Sequence, residues 1–211
     1  SPEYMSAVAS DAHKMVRYRR TDIQSEQEAS FILPQKPAQM LKNLLSNDES
    51  EVKVTFDQQN AIIEFGNFTQ ICRLVEGKFP NYDAVIPKDS PYKMTVDRLD
   101  FHNKLKMVSG YANPASNLVK MSVAPNELKV SAQDLDFSMS AFERLKCQYE
   151  GEEMEIGFKA LFLIEIVANL GSPDIFVELS DPSRAALFLP VEKENENEDV
   201  LMLLMPMMVS Q

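Results

Sequence analysis

Hydrophobic and polar positions alternate with a period of two along most of this chain. Residues 51–56 (EVKVTF), 61–65 (AIIEF) and 70–75 (QICRLV) are short alternating runs separated by polar turns such as 57–60. The same rhythm returns at 118–123, 128–133, 135–142, 175–180, 185–190 and 200–206, with Asn126 and Glu127 marking a hairpin between two of the runs. Successive side chains of a strand point to opposite faces, so this pattern predicts strands with one buried and one wet face. Such strands belong to antiparallel sheets. The chain opens abruptly in what reads as a strand, as expected of a segment cut from a longer protein.

Three segments break the rhythm with helical character. Within 37–45, Pro37 suits a first helical position, and Leu41, Leu44 and Leu45 fall on one face. Within 97–108, Phe101, Leu105 and Val108 form a stripe spaced i, i+4, i+7. Residues 158–170 are apolar almost all round and stop at Gly171 and Pro173. Two of these helices stand in matching surroundings. A strand, a helix, a polar turn (SNDES in one case, GSPD in the other) and three more strands occur over 31–80 and again over 155–206. Repeats of solenoids run to roughly 20–50 residues, so a longer period indicates duplicated domains. Residues 92–149 supply another strand–helix–multistrand unit between the two. The fold class expected is therefore α+β, with repeated helix-plus-antiparallel-sheet units.

The 211 residues are 45% hydrophobic, enough for two compact domains. No run of 18 apolar residues offers a membrane span, and the N-terminal SPEYMSAVASDAHK lacks the pattern of a signal peptide. A formal charge of −11 argues at first against nucleic acid, whose backbone demands local Lys and Arg. The charge is unevenly placed, however. Residues 34–45 carry Lys36 and Lys42 with no acid, and 97–112 carry Arg98, Lys104 and Lys106 against Asp97 and Asp100. In 158–170, Lys159 and Glu165 balance, so the acidity lies outside the expected helices. The densest acidic run, 192–199 (EKENENED), reads as a solvated loop tip in the last hairpin.

Catalytic chemistry finds little support. Ser10, Asp11 and His13 are neighbours on one strand, whereas a Ser/His/Asp triad assembles side chains distant in sequence. Phosphate-cradling loops, dinucleotide fingerprints and zinc-protease motifs are absent from the sequence, and six glycines leave little room for them. Cys72 and Cys147 form no C-x-x-C and read as buried free thiols of a reducing cytosol. His13 and His102 are too few for a zinc site. No cofactor and no metal are expected, and the chain reads as a binding or scaffold protein.

Two segments have a composition suited to binding. In 76–87 (EGKFPNYDAVIP), prolines and aromatics pin a connection whose Pro80 and Val85 could line a surface pocket. Near the C-terminus, Met202, Met205, Met207 and Met208 lie within LMLLMPMM, and flexible, polarizable Met suits surfaces that accept several partners.

With these two anchors, the chain resembles the family of the bacterial DNA polymerase III beta subunit, the sliding clamps. Relatives carry an E/DG-R/K-FP-x-Y-x-x-V-I/L-P segment and end in MPM plus a basic residue. VASDAHKMV at 8–16 is similar to the family's VATDGHRLA, and GEEMEIGFKALFLIEIVANL at 151–170 is similar to its S/G-x-E-M-E-I-G-F-N segment. The four anchors stand in the family's order across the whole chain.

The resemblance implies a middle clamp domain over 1–91, truncated at its N-terminus, and a C-terminal clamp domain over 92–211, with helices lining the pore of a ring and sheets outside. It implies a cytoplasmic, non-enzymatic processivity factor that encircles duplex DNA without reading its sequence. Its partners would be the replicative DNA polymerase, the clamp loader and other proteins bearing the clamp-binding motif. The full-length protein would form a homodimeric ring, and no membrane is implied. Lys36, Lys42, Arg98, Lys104 and Lys106 would face the duplex. A peptide pocket would be lined by Met15, Pro80, Val85, Leu203 and Met205 and flanked by Ala12, His13, Lys14, Pro206 and Met207, with Lys159 and Phe162 at a second subsite. Met107, Val108 and Tyr111 would supply one side of the ring interface. The chain departs from the family where Ala12 replaces a usual Gly, Phe162 a Tyr, and Ala84 and Met208 positions that are often basic. The alternative reading is an extracellular or periplasmic antiparallel-sheet binding module. A weaker alternative is a hydrolase with a dispersed site including His13.

Overall fold

The computed structural model of the chain describes residues 1–45 and 51–209, so the turn expected at SNDES lies outside the described residues. The chain opens with a hairpin of β1 (Met5–Ser10) and β2 (Lys14–Arg20). Then come α1 (Gln35–Leu45) and the strands β3 (Lys53–Phe56), β4 (Asn60–Phe65) and β5 (Phe68–Arg73). The remainder holds β6 (Tyr92–Asp97), α2 (Arg98–Ser109), β7 (Leu118–Ala124), β8 (Glu127–Asp134), β9 (Met139–Leu145), β10 (Cys147–Glu150), β11 (Met154–Lys159), α3 (Ala160–Ala168), β12 (Asp174–Leu179), β13 (Ala186–Pro190) and β14 (Glu198–Leu204).

These elements form two compact units. One comprises Ser1 and Glu26–Tyr82, the other Pro2–Ser25 and Asp83–Gln211. The chain thus divides at Tyr82, and residues 83–91 fall inside the second unit rather than closing the first. The N-terminal hairpin also belongs to the second unit, because β2 pairs with β14 along seven residues.

In the first unit, β3, β4 and β5 make an antiparallel meander beside α1. Strand β4 keeps the alternation, burying Ala61, Ile63 and Phe65 and exposing the residues between them. Ala61 packs with Cys72, Leu74 and the partly buried Leu33 in a small core. The helix begins at Gln35, two residues before Pro37; proline is tolerated there because first-turn N–H groups have no intrahelical partner. Helix α1 fully buries none of its side chains: Leu41 and Leu45 are half-buried and Leu44 is exposed.

The second unit contains two sheets, a seven-stranded one in the order β1-β2-β14-β13-β12-β6-β10 and a four-stranded one in the order β11-β7-β8-β9. All pairings are antiparallel. Helices α2 and α3 pack on each other. The α2 stripe of Phe101, Leu105 and Val108 joins Leu163, Ile166 and Val167 of α3 in the core. The sheets contribute Met94, Val96, Met121, Val130, Ile156, Phe158, Val177 and Phe188 to the same cluster. Asp97 caps α2 by accepting the Asp100 N–H at 2.6 Å. The helix-plus-meander unit read from the sequence is present as α1 with β3–β5 and as α3 with β12–β14. Helix α2 with β7–β9 repeats it.

Two boundaries differ from the sequence-based expectation. Phe158 and Lys159 belong to β11, where they pair with Val119 and Leu118, so α3 starts only at Ala160. The ladder to β7 outweighs a helical propensity that any apolar run shares. The strand expected over 135–142 begins instead at Met139 and runs to Leu145. Asp134 fixes the turn before it by accepting the Asp136 N–H at 3.0 Å and the Asn113 amide at 3.2 Å.

The β1–β2 connection runs through Asp11, Ala12 and His13. Ala12 sits at φ 71°, where a Cβ crowds the carbonyl and glycine is favoured. Ala12→Gly is therefore expected to stabilise the protein by about 0.5–1 kcal/mol, with unchanged denaturant slope in urea unfolding. A second pair of variants checks the core assignment of α2. Phe101→Ala should cost about 3–5 kcal/mol, because Phe101 is fully buried. Leu99→Ala, two residues away and 59% exposed, should stay within about 0.5 kcal/mol.

Candidate functional site

The β2–β14 ladder sets Met15 opposite Leu203 and Lys14 opposite Leu204. Beyond the ladder, the Met205 N–H donates to the His13 carbonyl at 2.9 Å. Pro206 then turns the chain out of the sheet, and the Met207 N–H donates to the Gly157 carbonyl on β11 at 2.8 Å. This close approach requires glycine: a Cβ at 157 would lie 2.8 Å from the Met207 carbonyl oxygen and 2.8 Å from Val209 Cγ2. The C-terminal segment is thereby seated beside the strand that leads into α3.

On the first turn of α3, Phe162 gathers the remaining groups. The His13 ring stacks on it with centroids 5.9 Å apart. Lys14 Nζ lies 4.5 Å and Lys159 Nζ 4.8 Å from its ring centroid, within cation–π range. Lys14 also pairs with Glu165 at 2.5 Å and approaches Asp11 at 3.7 Å. Burial of Asp11 raises its pKa, but N–H bonds from Lys14 and His13 outweigh that and hold the carboxyl below its ordinary value. Met15 and Leu203 are buried and can only floor a pocket. Pro206 and Met207 are half-buried, and Met205 is exposed. The result is an apolar surface with an aromatic ring and two ammonium groups at its border, suited to a short peptide with apolar anchors.

Of the other expected pocket residues, Ala12 is exposed in the β1–β2 turn. Val85 is exposed at the end of a 3-10 turn (Tyr82–Val85) in the same unit, and Pro80 belongs to the other unit. The sequence reading missed Glu165, Asp11 and Gly157 as parts of this site, and Asn117, whose carbonyl and Oδ1 accept the Ala160 and Leu161 N–H groups at the start of α3. A glycine inside a strand signals close backbone approach and could have flagged Gly157. The Lys14–Glu165 pair spans 151 residues and had no local signal.

The five cations expected to meet DNA are not equivalent. Lys36 and Lys42 on α1 and Lys106 on α2 are exposed. Arg98 instead donates its Nε–H to the Ser172 carbonyl at 2.7 Å. Lys104 is held by the Arg144 carbonyl at 2.7 Å and by Asp100 at 3.0 Å. Arg98 and Lys104 are thus held by partners within the chain, whereas Lys36, Lys42 and Lys106 are exposed. Between Arg98 and Lys106 on α2, His102 has its pKa lowered, first by burial and then by the two neighbouring cations.

At the C-terminal end of α2, Met107 and Tyr111 are exposed. Val108 is only 1% exposed and belongs to the core, so it offers no contact surface, contrary to the expected interface set. The apolar surface nearest in kind is one the sequence reading missed. Leu135 (79% exposed) and Phe137 (70%) crown the turn before β9, and Phe142 lies on that edge strand. Cys72 and Cys147 are free and buried, and burial pushes the Cys147 thiol up. Among the described residues no cluster of His, Cys, Asp and Glu is arranged to hold a metal.

Residues 83–208 match the family model for the C-terminal domain of the DNA polymerase III beta subunit, and residues 1–81 match the one for its central domain. The beta sliding clamp of Pseudomonas putida is 28% identical over 204 residues, covering 96% of this chain and 54% of that protein. That of Borreliella burgdorferi is 26% identical over 203 residues, covering 95% and 51%. The crystal structure of the sliding clamp from Bartonella birtlesii bound to griselimycin has a TM-score of 0.90 at 29% identity, over 98% of this chain and 55% of that one. The chain spans about half the length of the curated relatives it matches. It belongs to the DNA polymerase III beta subunit family and has the antiparallel α+β fold of the DNA sliding clamps.

Proposed function

We propose that this chain is the partner-docking part of a cytoplasmic, non-enzymatic processivity factor. The whole protein would encircle duplex DNA and tether the replicative polymerase, the clamp loader and other partners by their clamp-binding peptides. The observation that carries the reading is the convergence of Met15, Leu203, Met205, Met207 and Phe162 in one compact unit. Ring closure as a homodimer would use the exposed Met107 and Tyr111 at the end of α2, with the exposed Leu135, Phe137 and Phe142 as a second candidate surface. Duplex contact would fall to the exposed Lys36, Lys42 and Lys106 together with the partnered Arg98 and Lys104, whose phosphate contacts carry no sequence information and permit sliding. The family domains matched over residues 1–81 and 83–208 support both roles.

A labelled peptide with a Gln-Leu-x-Leu-Phe motif should bind this chain saturably at micromolar concentration, on the order of −8 kcal/mol. Met205→Asp should abolish that binding in fluorescence anisotropy; binding that persists in the variant would sink the pocket reading.

His102 reports on the cationic face of α2. Its folded-state pKa lies below the ordinary value, so in the window just below about pH 6.5 the unfolded chain takes up the proton first and stability declines as pH falls. By NMR, Lys106→Gln should raise the His102 midpoint, since a neighbouring positive charge is removed. Short duplex DNA at low ionic strength should raise it as well, with reversal by salt. An unmoved midpoint at saturating duplex would count against DNA contact through this helix.

A further inference from the structure

The sulfur atoms of this chain divide into those that solvent reaches and those that it does not. Cys72 and Cys147 are buried, and burial pushes the Cys147 thiol up, away from the thiolate that oxidants attack. Met94, Met121 and Met202 lie in the core, and Met15 is buried where it floors the candidate peptide surface. After β14 the situation reverses: Met205 is 42% exposed and Met208 95%. The sulfur open to an oxidant beside this surface is therefore all thioether.

The two exposed methionines are not equivalent. Met208 follows the bridge that seats Met207 on Gly157, and almost its whole side chain is in solvent. Met205 is fixed one residue past the β2–β14 ladder, its N–H bonded to the His13 carbonyl at 2.9 Å, between the buried Leu204 and Pro206. One added oxygen turns a flexible apolar thioether into a polar sulfoxide. An apolar anchor laid on that oxygen would leave it without a hydrogen-bond partner. The thioethers whose oxidation would damage the core are out of reach, so the change falls on docking and spares the fold.

Resting on the peptide-docking reading above, we propose that Met205 is a reversible oxidation site through which a hydroperoxide turns off peptide docking. With hydrogen peroxide, the sulfur lone pair attacks one peroxide oxygen, and an S–O bond forms as the O–O bond breaks. The departing hydroxide takes the proton of the transferred oxygen and leaves as water. Sulfur is oxidised by two electrons and the peroxide reduced by two. Two thiols, acting through a methionine sulfoxide reductase, return the thioether and yield a disulfide and water.

The test uses the whole 211-residue chain, hydrogen peroxide and an immobilised Gln-Leu-Ser-Leu-Phe peptide. Chain oxidised for graded times is passed over the peptide, and retained and unretained fractions are digested and read by mass spectrometry. Met205 and Met208 should each gain one oxygen while the buried Met15, Met94, Met121 and Met202 stay reduced. Met205 sulfoxide should gather in the unretained fraction, whose affinity by fluorescence anisotropy should be about tenfold weaker or more. Sulfoxide at Met40 or Met107, which are also exposed, should divide evenly between the fractions. The unretained chain should melt as the untreated chain does. The two epimer-specific methionine sulfoxide reductases with a dithiol should return it to the retained fraction. Four results overturn the inference while retention of untreated chain keeps the docking reading standing. They are an even spread of Met205 sulfoxide, a Met205 that stays reduced as Met208 oxidises, an unfolded unretained fraction, and a loss that the reductases do not reverse. If untreated chain is not retained and gives no anisotropy change, the docking reading fails and this inference falls with it.

Discussion

The ladder between β2 and β14 joins segments from opposite ends of the chain, and the candidate site exists only where they meet. Arg17 and Asp199, separated by 182 residues, face each other across it at 2.6 Å. Closing so long a loop carries an entropic cost that grows only logarithmically with its length. Seven register pairs from Lys14–Leu204 to Arg20–Glu198 offset it, aided by the Arg17–Asp199 ion pair and the hydrogen bond from Tyr18 to Glu198. A slip of one residue would turn Met15 out of the core and Lys14 into it, so the alternation of β2 against β14 fixes the register. Everything at the site descends from this: His13 at Met205, Lys14 at Glu165, and the C-terminal segment laid against Gly157.

How far the sequence carried can be judged at particular residues. The stripe of Phe101, Leu105 and Val108 was legible because helical period and burial are the same fact seen twice, and all three are in the core. The β4 alternation was legible for the same reason with period two. The start of α3 was not, since Phe158 and Lys159 owe their strand conformation to β7, a strand remote in sequence. Nor was the shift of β9, which depends on Asp134 bonding an amide from the distant Asn113. Local patterns specify elements; partners across the fold specify where elements stop. Composition singled out Pro80, Val85 and the terminal methionines, and the rest of the expected pocket set came from family resemblance, which could not reveal Val108 as buried or Arg98 and Lys104 as bonded to the Ser172 and Arg144 carbonyls.

Charge follows the same division between composition and placement. The net charge of −11 describes the whole chain, while a phosphate meets only the side chains within a Debye length, roughly 8–10 Å. On α2 the local balance is the reverse of the global one, and its effect is written on His102, whose proton affinity is lowered by Arg98 and Lys106 as well as by burial. An acidic protein can thus present a cationic helix without contradiction. Acidity elsewhere limits nonspecific adhesion of nucleic acid to other surfaces.

Lys159 and Ala12 make the last point, because each is a locally unfavourable choice near the same surface. Ala12 holds a left-handed conformation that glycine would adopt more easily, and Lys159 holds a cap that asparagine or serine would fill better. The two have different standing. The strain at Ala12 leaves no group with unmet chemistry: Asp11 and Ser10 already bond the turn's backbone, including the Ala12 N–H itself. At Lys159 the helix is capped by another residue, and an uncompensated cation remains at the border of an apolar surface. Lys159 thus differs from Ala12 in that Asn117 caps its helix while its own charge has no carboxylate partner among the described residues.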